Sequence, residues 1–222
     1  MSSGETLIKT EKLNKTFCNG KLETQVLFDI DIEISCGEFV AIMGPSGCGK
    51  STLMHILGTM LSPTSGRVII DGVDVTALKE SARARLRRDT IGFVFQRFNL
   101  LTTLNAYQNI AVAERIRGHK LDGQIGRALE AVQMQDKAYF KPGQLSIGQQ
   151  QRIAIARAIS HHPKILLADE PTGNLDSGNT QRIMELFREV HKSYGVTIVM
   201  ITHSQTACQW ASRVITMNDG RI

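Results

Sequence analysis

The plainest chemistry in this chain of 222 residues lies in nine consecutive positions, Gly44, Pro45, Ser46, Gly47, Cys48, Gly49, Lys50, Ser51 and Thr52. Gly44, Gly49, Lys50 and Ser51 fit the pattern G-x-x-x-x-G-K-[ST], whose backbone N–H groups curl inward around an anion. The apolar run Phe39–Met43 before it reads as a buried strand, and Leu53–Leu57 after it as the first turns of a buried helix. That is the strand–loop–helix context the pattern requires, and the helix N-terminus adds the positive end of its dipole. In such a loop Lys50 reaches the β- and γ-phosphates of a nucleoside triphosphate, and the Ser51 hydroxyl ligates Mg²⁺. A glycine-rich turn that matches by chance is the bland alternative, and both flanks argue against it.

Two further stretches could act on the same ligand. Asp169-Glu170 follows the apolar run Ile165–Ala168, at the strand end where open α/β sheets bind ligands. Asp169 is placed to hold Mg²⁺ through water, and Glu170, on the opposite pleat face, to polarise an attacking water as general base. Pro171 stops the strand pairing, and a chance acidic turn is the simple alternative. Leu145-Ser146-Ile147-Gly148-Gln149 opens a helix to about Ser160. Ser146 and Gln149 form an S-x-x-Q capping box, which by itself explains both residues. A capped helix N-terminus is also an anion site, and Gly148 lets a phosphate approach the backbone.

The elements that must position these groups alternate for most of the chain. Leu7–Leu13 and Val26–Ile34 show period-2 patterning, with Phe28, Ile30, Ile32 and Ile34 on one side, and Asn19-Gly20 marks the turn between them. Phe17 stands just before that turn, solvated or at the edge of the core, or where an adenine could stack on it. Further strands are expected at Arg67–Asp71, Ile91–Phe95 (ending at Gln96), Val196–Ile201 and Val214–Met217. Helices are expected near Lys79–Arg88, Ser177–Tyr194 and Gln205–Ala211. Residues 104–135 read as helical, with Ile110, Val112, Ile116, Leu121, Ile125, Leu129 and Val132 on apolar faces. Strands alternating with helices imply a mostly parallel sheet covered on both faces.

Composition narrows the class. The net charge of +5 is mild, and the densest basic cluster, Arg83, Arg85, Arg87 and Arg88, reads as a solvated helix face before a membrane or nucleic-acid patch. Apolar runs are strand-length, short of a membrane span, and Met1-Ser2-Ser3-Gly4-Glu5 lacks the apolar stretch of a leader. The expectation is a cytosolic chain unless a partner holds it at a membrane. Cys18, Cys36, Cys48 and Cys208 have no metal-type spacing and read as structural or incidental thiols, with Cys48 alone placed to block the ligand if alkylated.

Taken together, the chain resembles the nucleotide-binding subunits of ABC transporters over nearly its whole length. Phe17 matches the aromatic A-loop position, Gly44–Thr52 the Walker A motif and Gln96 the Q-loop. Leu145–Gln149 matches the signature, Ile165–Glu170 the Walker B motif, Asn174-Leu175-Asp176 the D-loop and His203 the switch histidine. The resemblance implies an α/β P-loop NTPase fold of ABC type: a parallel core over about 1–96 and 146–222 with an N-terminal antiparallel β subdomain, and a helical subdomain over about 97–145. It implies ATP and Mg²⁺ as ligands, with Ser51, Gln96 and Asp169 on the metal side, and Glu170, His203, Gln96 and Lys50 as the catalytic group. It also implies a head-to-tail homodimer in which each ATP lies between the Walker A of one copy and Ser146, Gly148 and Gln149 of the other, with Asp176 among the nucleotide-binding residues. Alone, Gln96 would read as a polar strand end and His203 as part of a helix N-terminal turn.

Ile91–Gln96, Asn99-Leu100-Leu101, Gln149-Gln150-Gln151-Arg152 and Ala168–Ser177 resemble most the subgroup serving macrolide, lipoprotein-releasing and peptide or glycolipid exporters, with cell-division proteins as neighbours. That implies integral membrane permease subunits as partners, no nucleic acid, and a peripheral place on the cytoplasmic face of the inner membrane. A soluble ABC protein acting on ribosomes or DNA is disfavoured by the single ATPase half and short insert, and a regulatory protein of low turnover is hinted at only by Ile147. That residue departs from the usual Leu-Ser-Gly-Gly-Gln signature, at the first helical position, where a side chain can point away from the phosphate.

Overall fold

Why the parallel strands form is visible in their burial. A computed structural model describes residues 4–20, 22–118 and 123–222, which fall into two compact units, Met1–Arg87 with Thr197–Ile222, and Arg88–Val196. In the first unit β3 (Phe39–Met43) lies between β8 (Thr197–Thr202) and β9 (Arg213–Thr216), parallel to both. Every residue of β8 is buried, as is β3 up to Ile42; continuous rather than alternating apolar runs are the mark of strands covered on both faces. The helices of this unit are α1 (Lys50–Leu57), α2 (Glu80–Thr90, whose last turn passes the unit boundary) and α7 (Gln205–Cys208).

The same unit holds an antiparallel sheet in the order β2-β1-β4-β5, with β1 at Thr6–Asn19, β2 at Leu22–Ser35, β4 at Ser65–Ile70 and β5 at Val73–Asp74. One expectation fails within it. Ile30, Ile32 and Ile34 face the core, but Leu27, not Phe28, is their fully buried neighbour. Leu13 pairs with Ile30 and Lys15 with Leu27, two steps on β1 against three on β2. The extra residue is a bulge, with Asp29 at φ +46°; a separate register shift on β1, between Thr10 and Leu13, holds Lys12 at φ +44°. Asn14 donates to the Asp29 carboxylate at 2.8 Å, and Asp31 accepts from the Lys12 N–H at 2.6 Å. An inserted residue flips every following side chain to the other face, so Phe28 comes out, with the Arg221 guanidinium 4.8 Å from its ring centre.

The arginine cluster on α2 is largely spent on internal partners. Arg83 pairs with Glu80 at 2.7 Å and with the Ser62 hydroxyl, while Arg87 donates to the Thr59 carbonyl at 2.6 Å and reaches Glu80. Arg88 pairs with Asp89 at 2.6 Å, and Arg85 alone of the four is exposed. Arg83 and Arg87 thus close the end of α1 and its following loop.

In the second unit β6 (Ile91–Val94) pairs parallel with β7 (Ile165–Asp169). Its helices are α3 (Ala106–Arg117), α4 (Gln124–Ala131), α5 (Ile147–Ile159) and α6 (Ser177–Tyr194). A Cβ on Gly92 would lie 2.3 Å from the Ala158 carbonyl oxygen, so α5 packs on β6 backbone to backbone. The helical stretch read over 104–135 is two helices, and Leu121 lies outside the described residues. Ile110, Ile125, Leu129 and Val132 are buried as expected, whereas Ile116 is 71% exposed. The face it was assigned to is taken by polar groups instead. Asn109 accepts from the Leu101 N–H at 2.7 Å and donates to the Leu101, Leu104 and Asn105 carbonyls. Glu114, fully buried, accepts from the Ser160 hydroxyl at 2.5 Å and pairs with Arg117 at 3.4 Å. Hydrophobic periodicity cannot foresee a face held by hydrogen bonds.

Candidate functional site

The phosphate loop leaves β3 at Met43 and enters α1 at Lys50. Gly47 (φ +81°) and Gly49 (φ +102°) supply left-handed backbone, which costs an L-residue about 1–2 kcal/mol. Gly44 is required for space: a Cβ there would sit 2.0 Å from the Met217 carbonyl oxygen and 2.9 Å from Cys48 Sγ. Gly49 occupies the N-cap position of α1 and no side chain caps that end, in contrast to α3, α5 and α6, capped by Asn105, Ser146 and Asp176. A helix N-terminus with only a glycine at its cap presents its N–H groups to an anion. Lys50 is buried, its Nζ donating to the Gly44 carbonyl at 2.8 Å and the Pro45 carbonyl at 2.7 Å. The ammonium thus lies along the inside of the loop, while Pro45, Ser46, Gly47 and Ser51 are exposed and Thr52 is half-buried.

What the sequence did not announce is the support under this loop. The Met217 N–H donates to the Met43 carbonyl at 2.7 Å, the Gly220 N–H to the Cys48 carbonyl at 3.0 Å, and the Phe28 N–H to the Gly220 carbonyl at 2.9 Å. The turn Asp219-Gly220, legible only as a turn, is therefore a brace for the phosphate loop. Cys48 is buried in the same region, its sulfur 3.8 Å from Lys50 Nζ. Alkylation there must wait for local opening, whereas Cys18 is exposed. Brief treatment with a maleimide should therefore label Cys18 at least about tenfold faster than Cys48, read by peptide mass spectrometry. Equal labelling rates would mean that the loop is not held shut as described.

Phe17 is 42% exposed near the end of β1, with Lys15 Nζ 4.9 Å from its ring centre. It is thus a surface aromatic rather than a core-edge one. His203 is exposed at the bend after β8, next to the Ser204 that caps α7.

In the second unit the acidic pair terminates β7, with both Asp169 and Glu170 half-buried. Glu170 is not on a continuing strand. Its φ is +45°, so the chain turns sharply there, and the Gly173 N–H closes the turn on the Glu170 carbonyl at 3.0 Å. A non-glycine residue in this region stores about 1–3 kcal/mol of strain, and surrounding contacts must hold it. Those contacts bring Gln96 in: its carbonyl accepts from Asn174 Nδ2 at 3.0 Å, and a Cβ on Gly173 would lie 3.0 Å from its Nε2. Two elements 70 residues or more apart in sequence, Gln96 and the Asp169–Asn174 turn, form one surface.

The helix start at Ser146 is as expected. Ser146 Oγ accepts from the Gln149 N–H at 3.3 Å, and Gln149 Oε1 accepts from the Ser146 N–H at 2.9 Å. Gly148 is buried, and a Cβ on it would lie 3.1 Å from Asn179 Oδ1. Its lack of a side chain thus serves packing against α6 as well as any ligand. Asn179 in turn donates from its backbone N–H and its side chain to Asp176, both at 2.8 Å. Those bonds, the backbone one first, hold the Asp176 carboxyl below the usual carboxylate range. Sequence spacing gives Asn179 no role and Gln151 only a place in the subgroup pattern; what marks them is the partners they reach, Asp176 for Asn179 and the buried Pro171 carbonyl for Gln151.

Ser51 in the first unit offers a hydroxyl, and Gln96 and Asp169 in the second an amide oxygen and a carboxylate; each is an oxygen donor of the kind a hard cation such as Mg²⁺ takes. A parallel strand running into a glycine loop and an uncapped helix is the fold of a P-loop nucleotide-binding protein.

The sequence matches the ABC transporter family over residues 27–173. It is 47% identical to the macrolide export ATP-binding/permease protein MacB of Brucella abortus (strain 2308), over 99% of this chain and 34% of the relative. It is 42% identical to the uncharacterized ABC transporter ATP-binding protein YvrO of Bacillus subtilis (strain 168), over 97% of this chain and 95% of that one. The dimeric post-hydrolysis structure of the ATP-binding cassette MJ0796, bound to ADP and Pi, superposes with a TM-score of 0.89 at 38% identity, covering 97% of this chain and 96% of that one. This chain belongs to the ABC transporter family, with the parallel core, antiparallel subdomain and helices of its ATP-binding cassettes. It spans about a third of the length of the macrolide-export relatives, and no helix among the described residues is long and apolar enough to cross a membrane.

Proposed function

We propose that the chain is the ATP-binding and ATP-hydrolysing motor of an exporter-type or mechanotransmitting membrane complex. The observation that carries this reading is the pair of helix N-termini built for phosphate: α1 with its glycine cap beside Lys50, and α5 opening at Ser146-Gly148. In this reading Gly44–Thr52 wrap the phosphates, Lys50 turns from its loop carbonyls to the β- and γ-phosphates, and Phe17 stacks on the adenine. Ser51, Asp169 and Gln96 hold the metal, directly or through water. Bound Mg²⁺ supplies charge neutralisation on the phosphoryl oxygens. Glu170 takes the proton of the attacking water, and His203 and Gln96 sense the γ-phosphate. Ser146, Gly148 and Gln149 of a second copy close the site from the other side, and Asp176 joins the nucleotide-binding residues.

Support for the dimer comes from the MJ0796 cassette, which is dimeric in two solved states. Support for the exporter role comes from the names of the macrolide-export relatives. The partners are then integral membrane permease subunits, the chain lies peripherally on the cytoplasmic face of the inner membrane, and the cargo is a lipoprotein, glycolipid, peptide or drug that the permease contacts. The test is ATP turnover of the purified chain with and without the co-purified membrane subunit: turnover that the partner stimulates is expected. A chain that binds ATP and never turns it over would favour a regulatory role.

Ile147 is the one feature pointing that way. It is the first residue of α5 and is 52% exposed, so its side chain does not fill the loop that Ser146 and Gly148 form. Ile147→Gly is expected to change the ATPase rate less than about tenfold, below ~1.4 kcal/mol in barrier. A larger gain would show that the isoleucine impairs this signature.

A further inference from the structure

Gln151 lies on α5, five positions after the cap residue Ser146, and is fully buried. Its Nε2 donates to the Pro171 carbonyl at 2.8 Å. Pro171, itself buried, is the residue immediately after Glu170. The amide oxygen of Gln151 has no hydrogen-bond partner among the described residues. Packing alone does not explain such a side chain, because an apolar one of the same length would fill the space without stranding a polar atom. The amide is retained for its donor.

We infer that Gln151 is the positioning residue for Glu170: it fixes the Pro171 peptide and so holds the left-handed turn that aims the carboxylate. The turn is otherwise closed by the Gly173 and Leu175 N–H groups on the Glu170 and Thr172 carbonyls, at 3.0 and 3.1 Å, and tied to the Gln96 segment by Asn174. Gln151 is its link to the helix whose N-terminus begins at Ser146. Without the donor, a buried carbonyl next to a strained residue loses its partner, and the turn relaxes towards ordinary φ values. A displacement near 1 Å is enough to cost a general base much of its effect. The inference rests on the proposed role of Glu170 as base.

The test uses the full chain and the variants Gln151→Met and Gln151→Glu, alone and combined with Glu170→Gln. Gln151→Met should lower kcat at least about tenfold with KM for ATP within about twofold. With Glu170→Gln it should still form the ATP-dependent dimer that Glu170→Gln forms alone. Gln151→Glu separates donation from packing. Ionised, its carboxylate repels the Pro171 carbonyl; protonated, its O–H donates to it, so its rate relative to the native chain should rise as pH falls from about 8 to about 6. This arm decides the matter even if the methionine variant does not fold. Unchanged kcat in Gln151→Met, a loss that follows ATP affinity instead, or no recovery of Gln151→Glu at low pH overturns the inference. If the native chain is active, Glu170→Gln is inactive and Gln151→Met is normal, only this inference fails. Normal turnover by Glu170→Gln fails the reading of the base, and the inference with it.

Discussion

Glu170→Gln is expected to lower ATP turnover by about 10²–10⁴-fold while leaving ATP binding intact, the size of effect a positioned general base contributes. The amide has nearly the shape of the carboxylate, so the turn at φ +45° and its closure by the Gly173 N–H are preserved. What is lost is the ability to accept a proton from water. With bond cleavage blocked and both helix N-termini still engaged with phosphate, the ATP-bound dimer should persist. Light scattering on a size-exclusion column with Mg²⁺ and ATP should show a dimer for the variant and mostly monomer for the native chain after turnover. Hydrolysis by the variant at the native rate would remove Glu170 from the base role and leave the acidic turn with a metal-binding function only.

Gly44→Ala should abolish nucleotide binding and destabilise the chain by about 3 kcal/mol or more, because the added methyl has nowhere to go. The obstacle is backbone, the Met217 carbonyl oxygen at 2.0 Å, and not the tip of a flexible side chain. Neither partner can retreat easily. Met217 is bonded to Met43 through its N–H, and the turn beyond it is bonded to Cys48 and Phe28 through Gly220. Gly47→Ala provides the contrast. Its Cβ would meet nothing within 4 Å, and only its φ of +81° resists substitution, at about 1–2 kcal/mol. Thermal melts and titration with a fluorescent ATP analogue should therefore rank Gly47→Ala well above Gly44→Ala in both stability and affinity. Native-like melting and binding in Gly44→Ala would show that the 217–221 turn is free to move off the loop.

Much of the local architecture is legible in the sequence. The apolar runs of β3, β7 and β8, the S-x-x-Q box at Ser146 and the G-x-x-x-x-G-K-[ST] loop each contain their own cause within a few residues. Continuous burial, a cap bond over three positions and left-handed glycines are short-range physics, so spacing alone expresses them. The limits of α6 follow in the same way, from Asp176 at its start and Gly195 in the left-handed conformation at its end.

The misreadings have one source as well. Period-2 patterning puts Phe28 on the core face because it assumes an unbroken ladder, and the bulge at Asp29 depends on what β1 presents across the sheet. Apolar periodicity puts Ile116 inside, whereas Asn109 and Glu114 take the interior through bonds to Leu101 and Ser160. In each case the deciding partner is remote or on another element. Sequence alone thus determined the chemistry on offer: a phosphate loop, an acidic strand end and a capped helix start. Tertiary structure alone decided how that chemistry is held, with Met217 and Gly220 beneath the loop and Gln151 on the turn after Glu170. The physical reason is that a motif's identity resides in residue types along the chain, while its rigidity resides in hydrogen bonds and close contacts that only folding brings together.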